Sequence, residues 1–112
     1  MHVSYAVVWR EGQLPQGTGK LELLQRAVRL DGVSDGEKTV VDVPYEDLRG
    51  LRIGYTRADR VTGTRALVFE RRSGPTIRVA SFGHPNLISE IAERIATLQL
   101  GGATVRPTFT RT

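Results

Sequence analysis

The chain has 112 residues, of which 39% are hydrophobic and 25% charged, a composition typical of an ordinary globular protein. This length allows one hydrophobic core but not two, and the absence of cysteine excludes disulfides and thiolate catalysis. The formal net charge of +4 is uneven, because residues 49–78 carry eight arginines against Asp59 and Glu70. This block is either an anion-binding face or ordinary charge on exposed strands.

The N-terminal segment "MHVSYAVVWREG" has too short an apolar run for a signal peptide and lacks a basic leader. Nowhere does an apolar segment approach the roughly 20 residues that a membrane span needs. We therefore expect a cytoplasmic protein.

Alternating apolar residues predict seven short strands separated by turn residues. In chain order the strands read "HVSYAVVW", "GKLELL", "RAVRLDG", "KTVVDVP", "GLRIGYTR", "RALVFERR" and "TIRVASF". Asp31-Gly32 is predicted to begin the turn after the third strand. "YEDL", directly after Pro44, is predicted to form a single helical turn. Alternation in the fifth strand places Tyr55 on the inner face.

The connection "GQLPQGTGK" (12–20) has the composition of a phosphate-binding loop. A Walker loop, however, needs glycine where Leu14 stands and Ser or Thr where Leu21 follows Lys20. The segment is therefore predicted to join the first two strands, with Gly17 and Gly19 allowing the chain to turn.

The apolar period changes in "NLISEIAERIATLQLGG", which predicts one amphipathic helix starting at Asn86 and stopping at Gly101. Such a helix is marginal alone and should dock on the sheet. We predict a mainly β fold: a seven-stranded antiparallel bent sheet, or partly open barrel, capped by one C-terminal α-helix. Residues 1–100 are predicted to form a single domain, and residues 101–112 a flexible tail.

Three stretches carry a family resemblance: "GKLELLQRAVRLDG" (19–32), "VPYEDLRGLRIG" (43–54) and "LVFERRSGPTIRVASF" (67–82), followed by the helix. Their order resembles the pleckstrin-homology-like (PH-like) superfold, including its bacterial and GRAM-type members, over about residues 3–100. The segment 43–48 matches the apolar–Pro–aromatic–acid–Asp–Leu pattern found in such domains. The resemblance implies either a lipid-headgroup binder or a protein-interaction module.

The sequence departs from the phosphoinositide-binding members of that superfold. Those members use a lysine near the end of the first strand and a basic–x–Arg pair on the second. Arg10 matches the first position, but Lys20 is followed by Glu22. Many members also carry a tryptophan on the helix, whereas the sole tryptophan here, Trp9, lies in the first strand. The resemblance therefore favours a non-enzymatic module that binds a protein or peptide partner or assembles with itself.

No catalytic or metal-binding constellation is recognisable in the sequence. His2 and His84 are the only histidines and lie in different segments, whereas a metal site needs three or four clustered ligands. The paired carboxylates Glu46 and Asp47 fit a turn better than a general acid–base cleft. We expect no enzyme activity, no cofactor and no metal.

The arginines are the strongest functional lead. A wider cluster of seven lies on adjacent predicted strands or their loops: Arg52, Arg57, Arg60, Arg65, Arg71, Arg72 and Arg78. The candidate ligand-binding residues are Arg10, Lys20, Arg57, Arg60 and Arg65.

Such a cluster binds phosphate groups, and the alternative function is therefore binding of an anionic lipid headgroup or phosphate ligand. Nucleic acid is disfavoured, because Tyr55 and Phe69 are predicted to point inward rather than to stack on bases. Partner identity and oligomeric state stay open.

Overall fold

The computed structural model describes residues 3–81 and 87–103, with side chains for residues 4–81 and 87–98. Seven strands and one helix are present: β1 (Val3–Glu11), β2 (Gly17–Leu23), β3 (Ala27–Ser34), β4 (Glu37–Pro44), β5 (Leu48–Ile53), β6 (Leu67–Arg71), β7 (Ile77–Ser81) and α1 (Leu87–Ala103). A 3₁₀ turn at Tyr45–Asp47 joins β4 to β5, which confirms the helical turn predicted after Pro44. The predicted fold class is confirmed.

The strands form one curled antiparallel sheet in the order β4-β3-β2-β1-β7-β6-β5. The first strand lies at its centre, where Trp9 is paired with Gly17 of β2 on one side and with Val79 of β7 on the other. Among the described strands, β4 and β5 each pair on one side only. The half-barrel therefore has two open edges.

The concave inner face and α1 share one hydrophobic core. Its largest fully buried side chains include Trp9, Phe69, Leu21, Leu30, Ile91 and Ile95. Burying an aliphatic or aromatic side chain of this kind stabilises a fold by roughly 1.5–3 kcal/mol. The predicted apolar stripe of the helix thus docks on the sheet, and Tyr5 adds a hydrogen bond from its hydroxyl to Glu90 Oε2 (2.9 Å).

The turn between β3 and β4 differs from the prediction. Strand β3 continues through Asp31 and Gly32 to Ser34, and the turn is made by Asp35 and Gly36, with φ of 54° and 80°. Two positive φ angles define a type I′ turn, whose twist suits adjacent antiparallel strands. The predicted turn was wrong because Asp-Gly fits a turn by composition, whereas cross-strand pairing kept Asp31 in the ladder.

Gly17 and Gly19 also act differently from the prediction, since both lie inside β2 rather than in a turn. A Cβ on Gly17 would lie 2.4 Å from the Trp9 ring, and one on Gly19 would lie 2.2 Å from the Asp31 carbonyl oxygen. These glycines therefore permit close packing instead of chain reversal.

The C-terminal end of the helix differs from the prediction. Helix α1 continues two residues past Gly101, to Ala103. The predicted N-cap Asn86, both histidines and residues 104–112 lie outside the described residues.

Replacing Gly17 with alanine should lower the free energy of unfolding by about 1–3 kcal/mol, because overpacking displaces a ring that cannot move freely. Trp9 is only 2% exposed and is the single tryptophan. Urea unfolding followed by its fluorescence measures the effect. Thr18→Ala, at the exposed neighbouring position, is the matched control, and equal losses in both variants would contradict the packing role.

Candidate functional site

A second, smaller hydrophobic cluster lies on the convex outer face of the sheet. It consists of Val8, Val61, Ala66 and Ala80. The cluster exists because residues 54–66, which we call the flap, leave the sheet after Ile53 and fold back over β1 and β7. The prediction that β5 continues through Tyr55 with its ring inward is wrong. That side chain is 70% exposed, because the chain turns away before the alternation reaches it.

Asp59 anchors the flap on the sheet. The residue is 4% exposed, and its carboxylate accepts hydrogen bonds from Thr56 Oγ1 (3.0 Å), Arg52 Nη1 (3.1 Å) and Arg78 Nε (3.2 Å). Gly54 leaves room for it, since a Cβ there would lie 2.3 Å from the Asp59 Cβ. The bonds from Arg52, and next from Thr56, hold the pKa of Asp59 below its ordinary value of 3.8.

Three arginines of the predicted cluster, Arg52, Arg71 and Arg78, pair with acids within the fold. Arg52 and Arg78 both bind Asp59, and Arg52 also donates to Glu70 (3.2 Å). Arg71 forms an ion pair with Glu11 (3.0 Å) at the opposite end of the half-barrel, and Arg72 Nε donates to a backbone carbonyl. Part of the basic block is thus neutralised by its own two acids, Asp59 and Glu70, and by Glu11 of β1.

Arg57, Arg60 and Arg65 lie exposed on the flap. Arg60 donates from Nη1 to the Gly63 carbonyl (3.2 Å), and Arg65 lies 4.9 Å from the centre of the Tyr55 ring. The latter is a cation–π contact at an exposed site, worth about 0.5–1 kcal/mol. Neither contact neutralises the charge, so these three guanidinium groups keep their positive potential.

Arg10, one of the predicted site residues, lies beside another arginine on the sheet. It is exposed on the outer face of β1 and lies directly opposite Arg78 of β7. Like charges in this cross-strand position repel each other. Asp59 neutralises Arg78, whereas no hydrogen bond or ion pair to Arg10 is found within the described residues. Arg10 is therefore the unneutralised member of this cross-strand pair.

Lys20 is not brought together with those arginines. It lies opposite Ala6, four residues along β1 from Arg10, which is roughly 13 Å at strand spacing. Its Nζ is 3.6 Å from Glu22 Oε2, and its cross-strand neighbour on β3 is Asp31. The environment of Lys20 is therefore acidic.

The edge strand β4 was not recognised in the sequence as a candidate. Val41 and Val43 face the core, but Val40 faces outward and is 56% exposed. The adjacent pair Val40-Val41 was the available signal, because two neighbouring residues of a strand point to opposite faces. An eight-residue regular edge strand with an exposed apolar side chain is a template for pairing with another strand.

The described side chains hold no group of three or more His, Cys, Asp or Glu placed to bind a metal. A shallow, open cavity of about 480 Å³ is lined by Asp42, Pro44, Glu46, Asp47, Arg71 and Ser73. Two of its three acids have partners: Asp42 binds Arg29 (2.7 Å), and Asp47 accepts from the Ser73 hydroxyl (3.0 Å).

Comparison with known proteins gives a fold and no function. No protein-family model matches the chain, and no curated protein matches it. Among solved structures, the chain is similar to the C-terminal domain of an unknown protein from Leishmania infantum. The match has a TM-score of 0.66 and 13% identity, and it covers 88% of this chain and 82% of that one. At this identity the likeness supports the architecture alone.

Of the helices in the described segments, none is both long and apolar enough to cross a membrane.

Replacing Asp59 with asparagine should destabilise the protein by about 1–2 kcal/mol, because two arginines then lose a charged acceptor. Trypsin should cut faster after Arg57 and Arg60, since the flap opens more often. Asp35→Asn is the matched control, because asparagine tolerates the positive φ of that exposed turn.

Acid should have the same effect as the Asp59 substitution. A lowered folded-state pKa gives stability that is present above the ordinary value of 3.8 and is lost as pH falls through the folded value. Hydrogen exchange of the Val61 and Thr64 amides, which bond each other's carbonyls, reports this opening. Unchanged exchange in the asparagine variant would contradict the anchoring role.

Proposed function

We propose that this chain is a non-enzymatic interaction module that binds a protein or peptide partner, or a second copy of itself, through the open edge of β4. The observation that carries the proposal is the regular eight-residue edge strand with Val40 exposed at its middle. A partner strand would add to the sheet by backbone hydrogen bonds, and the outward side chains would select it.

The other open edge is less suited to this role. Strand β5 has six residues, and its register shifts between Leu48 and Gly50, as at a β-bulge. Bulges twist an edge away from further pairing. Arg52, near the middle of β5, is also held by the flap through Asp59. Thus β4 is the longer and more regular of the two edges.

A PH-like identity and a cytoplasmic location belong to the same proposal. The PH-like identity is supported by the curled seven-stranded sheet with its C-terminal helix and by the motif at residues 43–48. The second strand lacks the basic–x–Arg pair of the lipid-binding members. This absence favours a module that binds proteins rather than lipids.

Replacing Val40 with lysine should weaken partner binding or self-association about tenfold or more, because a buried apolar contact becomes a charge. Val33→Glu is the matched control: Val33 is 48% exposed on the same face but lies one strand inside the edge. Each new charge lies opposite a residue of opposite sign, Asp31 for the first variant and Lys38 for the second.

Light scattering over a concentration series, with affinity capture from native lysate, provides the measurement. A wild-type chain that is strictly monomeric and recovers no partner would contradict the interaction module. Equal losses of binding in both variants would contradict the assignment to the edge.

A second candidate function is phosphate binding on the outer face, favoured by the unneutralised Arg10 beside Arg78. Arg60 lies between Asp59 and Val61 in the flap. Asp59 binds Arg78, and Val61 packs on Val8. The backbone of Arg60 therefore lies over this part of the sheet, and its exposed side chain adds positive charge to the same face. The ligand would be either a lipid headgroup or a free phosphate compound.

For that second function, Arg10→Glu should reduce binding to vesicles of anionic phospholipid several-fold, and salt should weaken wild-type binding by screening. Arg26→Glu, at an exposed site away from the flap, is the charge-matched control. Inorganic phosphate that shifts the Arg10 amide resonance without vesicle binding would identify a free phosphate as the ligand. No response to either probe would eliminate this function.

A further inference from the structure

We propose that the occupant of the β4 edge is β4 of a second copy, antiparallel and centred on Val40, so that the two half-barrels share one continuous sheet. The inference rests on the proposed function and names the partner. It follows from which backbone groups face the open edge and from which side chains accompany them.

The backbone parity of β4 is fixed by its pairing with β3. The two-residue turn at Asp35–Gly36 makes the flanking residues Ser34 and Glu37 a hydrogen-bonded pair, and such pairs recur at every second residue. Just beyond the other end of β4, Tyr45 donates its N–H to the Arg26 carbonyl (3.0 Å). Residue 45, like residue 37, is odd-numbered and directs its backbone groups toward β3. The odd-numbered residues of β4 therefore bond β3.

The even-numbered residues Lys38, Val40 and Asp42 consequently direct their N–H and C=O groups to the open edge. Their side chains lie on the outer face, because Val41 and Val43 point into the core. A partner strand thus meets three residues whose backbone groups and exposed side chains are both available to it.

Only one antiparallel self-pairing satisfies these three residues together. With the twofold axis at Val40, that residue faces its own copy and Lys38 faces Asp42 of the second copy, twice by symmetry. The pairing gives about six backbone hydrogen bonds. It also covers the apolar side chain that is 56% exposed in the single chain.

Neighbouring registers lose this complementarity. An axis at Thr39 or Val41 places Val40 opposite a charged residue. An axis at Lys38 or Asp42 places like charges face to face, which is destabilising in directly opposed positions. The sequence of β4 therefore selects a single register.

On the outer face, the alternation of opposite charges extends from the new interface to the neighbouring strands. Asp42 already binds Arg29 of β3 at 2.7 Å, so Lys38 of the second copy would extend an alternating row of charges. In this register Gly36 of the second copy lies opposite Pro44. The open cavity of about 480 Å³ borders this end of β4 and leaves room for the second copy's turn.

Charge exchange tests the register in the full-length chain. Lys38→Glu alone and Asp42→Lys alone should each raise the dimer dissociation constant about tenfold or more, because each places two like-charged pairs across the interface. An equimolar mixture of the two variants should restore a heterodimer. In that heterodimer the introduced glutamate faces the introduced lysine, and the remaining Asp42 faces the remaining Lys38. Light scattering should read twice the 12.4 kDa chain mass for the wild type and the mixture.

Cysteine cross-linking provides a second readout that does not disturb the Arg29–Asp42 pair. The chain has no cysteine, so Val40→Cys introduces a single thiol. Hydrogen-bonded pairs hold Cα atoms about 5.5 Å apart, within the range that a disulfide spans. Mild oxidation should cross-link this variant at low protein concentration, whereas Val33→Cys should stay monomeric.

Two results would overturn the self-pairing: a mixture that stays monomeric, or a Val40→Cys variant that cross-links no faster than the Val33→Cys variant. If Val40→Lys still abolishes binding of another protein or peptide in that case, the edge retains its proposed function with a different partner. If Val40→Lys changes nothing, both the self-pairing and the edge assignment fail.

Discussion

The central strand β1 must be buried on both of its faces, and most of the architecture follows from that requirement. Val7, Val8 and Trp9 are consecutive and all nearly inaccessible, at 0%, 5% and 2% exposure. Side chains alternate along a strand, so no single core can cover the three. The concave face supplies one core, with α1 over it, and the flap supplies a second on the convex face.

The second core determines what the arginines do. A carboxylate carried into a nearly buried position needs hydrogen-bonding partners, because an unpaired buried charge is costly. Arg52 and Arg78 satisfy Asp59, and in doing so they cease to be a free basic surface. The charge block that looks like an anion-binding face is therefore in part the counter-charge of the flap anchor. Arg10 and the exposed flap arginines remain as the basic surface.

Periodicity alone predicted the seven strands and the helix, because alternation and the 3.6-residue period are local properties of the chain. It failed where a non-local contact decided the outcome. Tyr55 continues the alternation of β5, yet the chain has already turned toward the Asp59 site. Gly17 has turn composition, yet it lies under Trp9. The edge position of Val40 could not be predicted from periodicity, since only the strand order reveals that β4 is an edge.

Strand β4 divides its residues between two tasks with little overlap. Val41 and Val43 pack on the core cluster, while Lys38, Val40 and Asp42 face outward and bond nothing in β3 through their backbone. Substitutions in the second set leave the core unchanged, with only the Arg29 contact of Asp42 linking it to the fold. The proposed edge interaction could therefore change its preferred partner by substitutions at three alternate positions, without a compensating change in the hydrophobic interior.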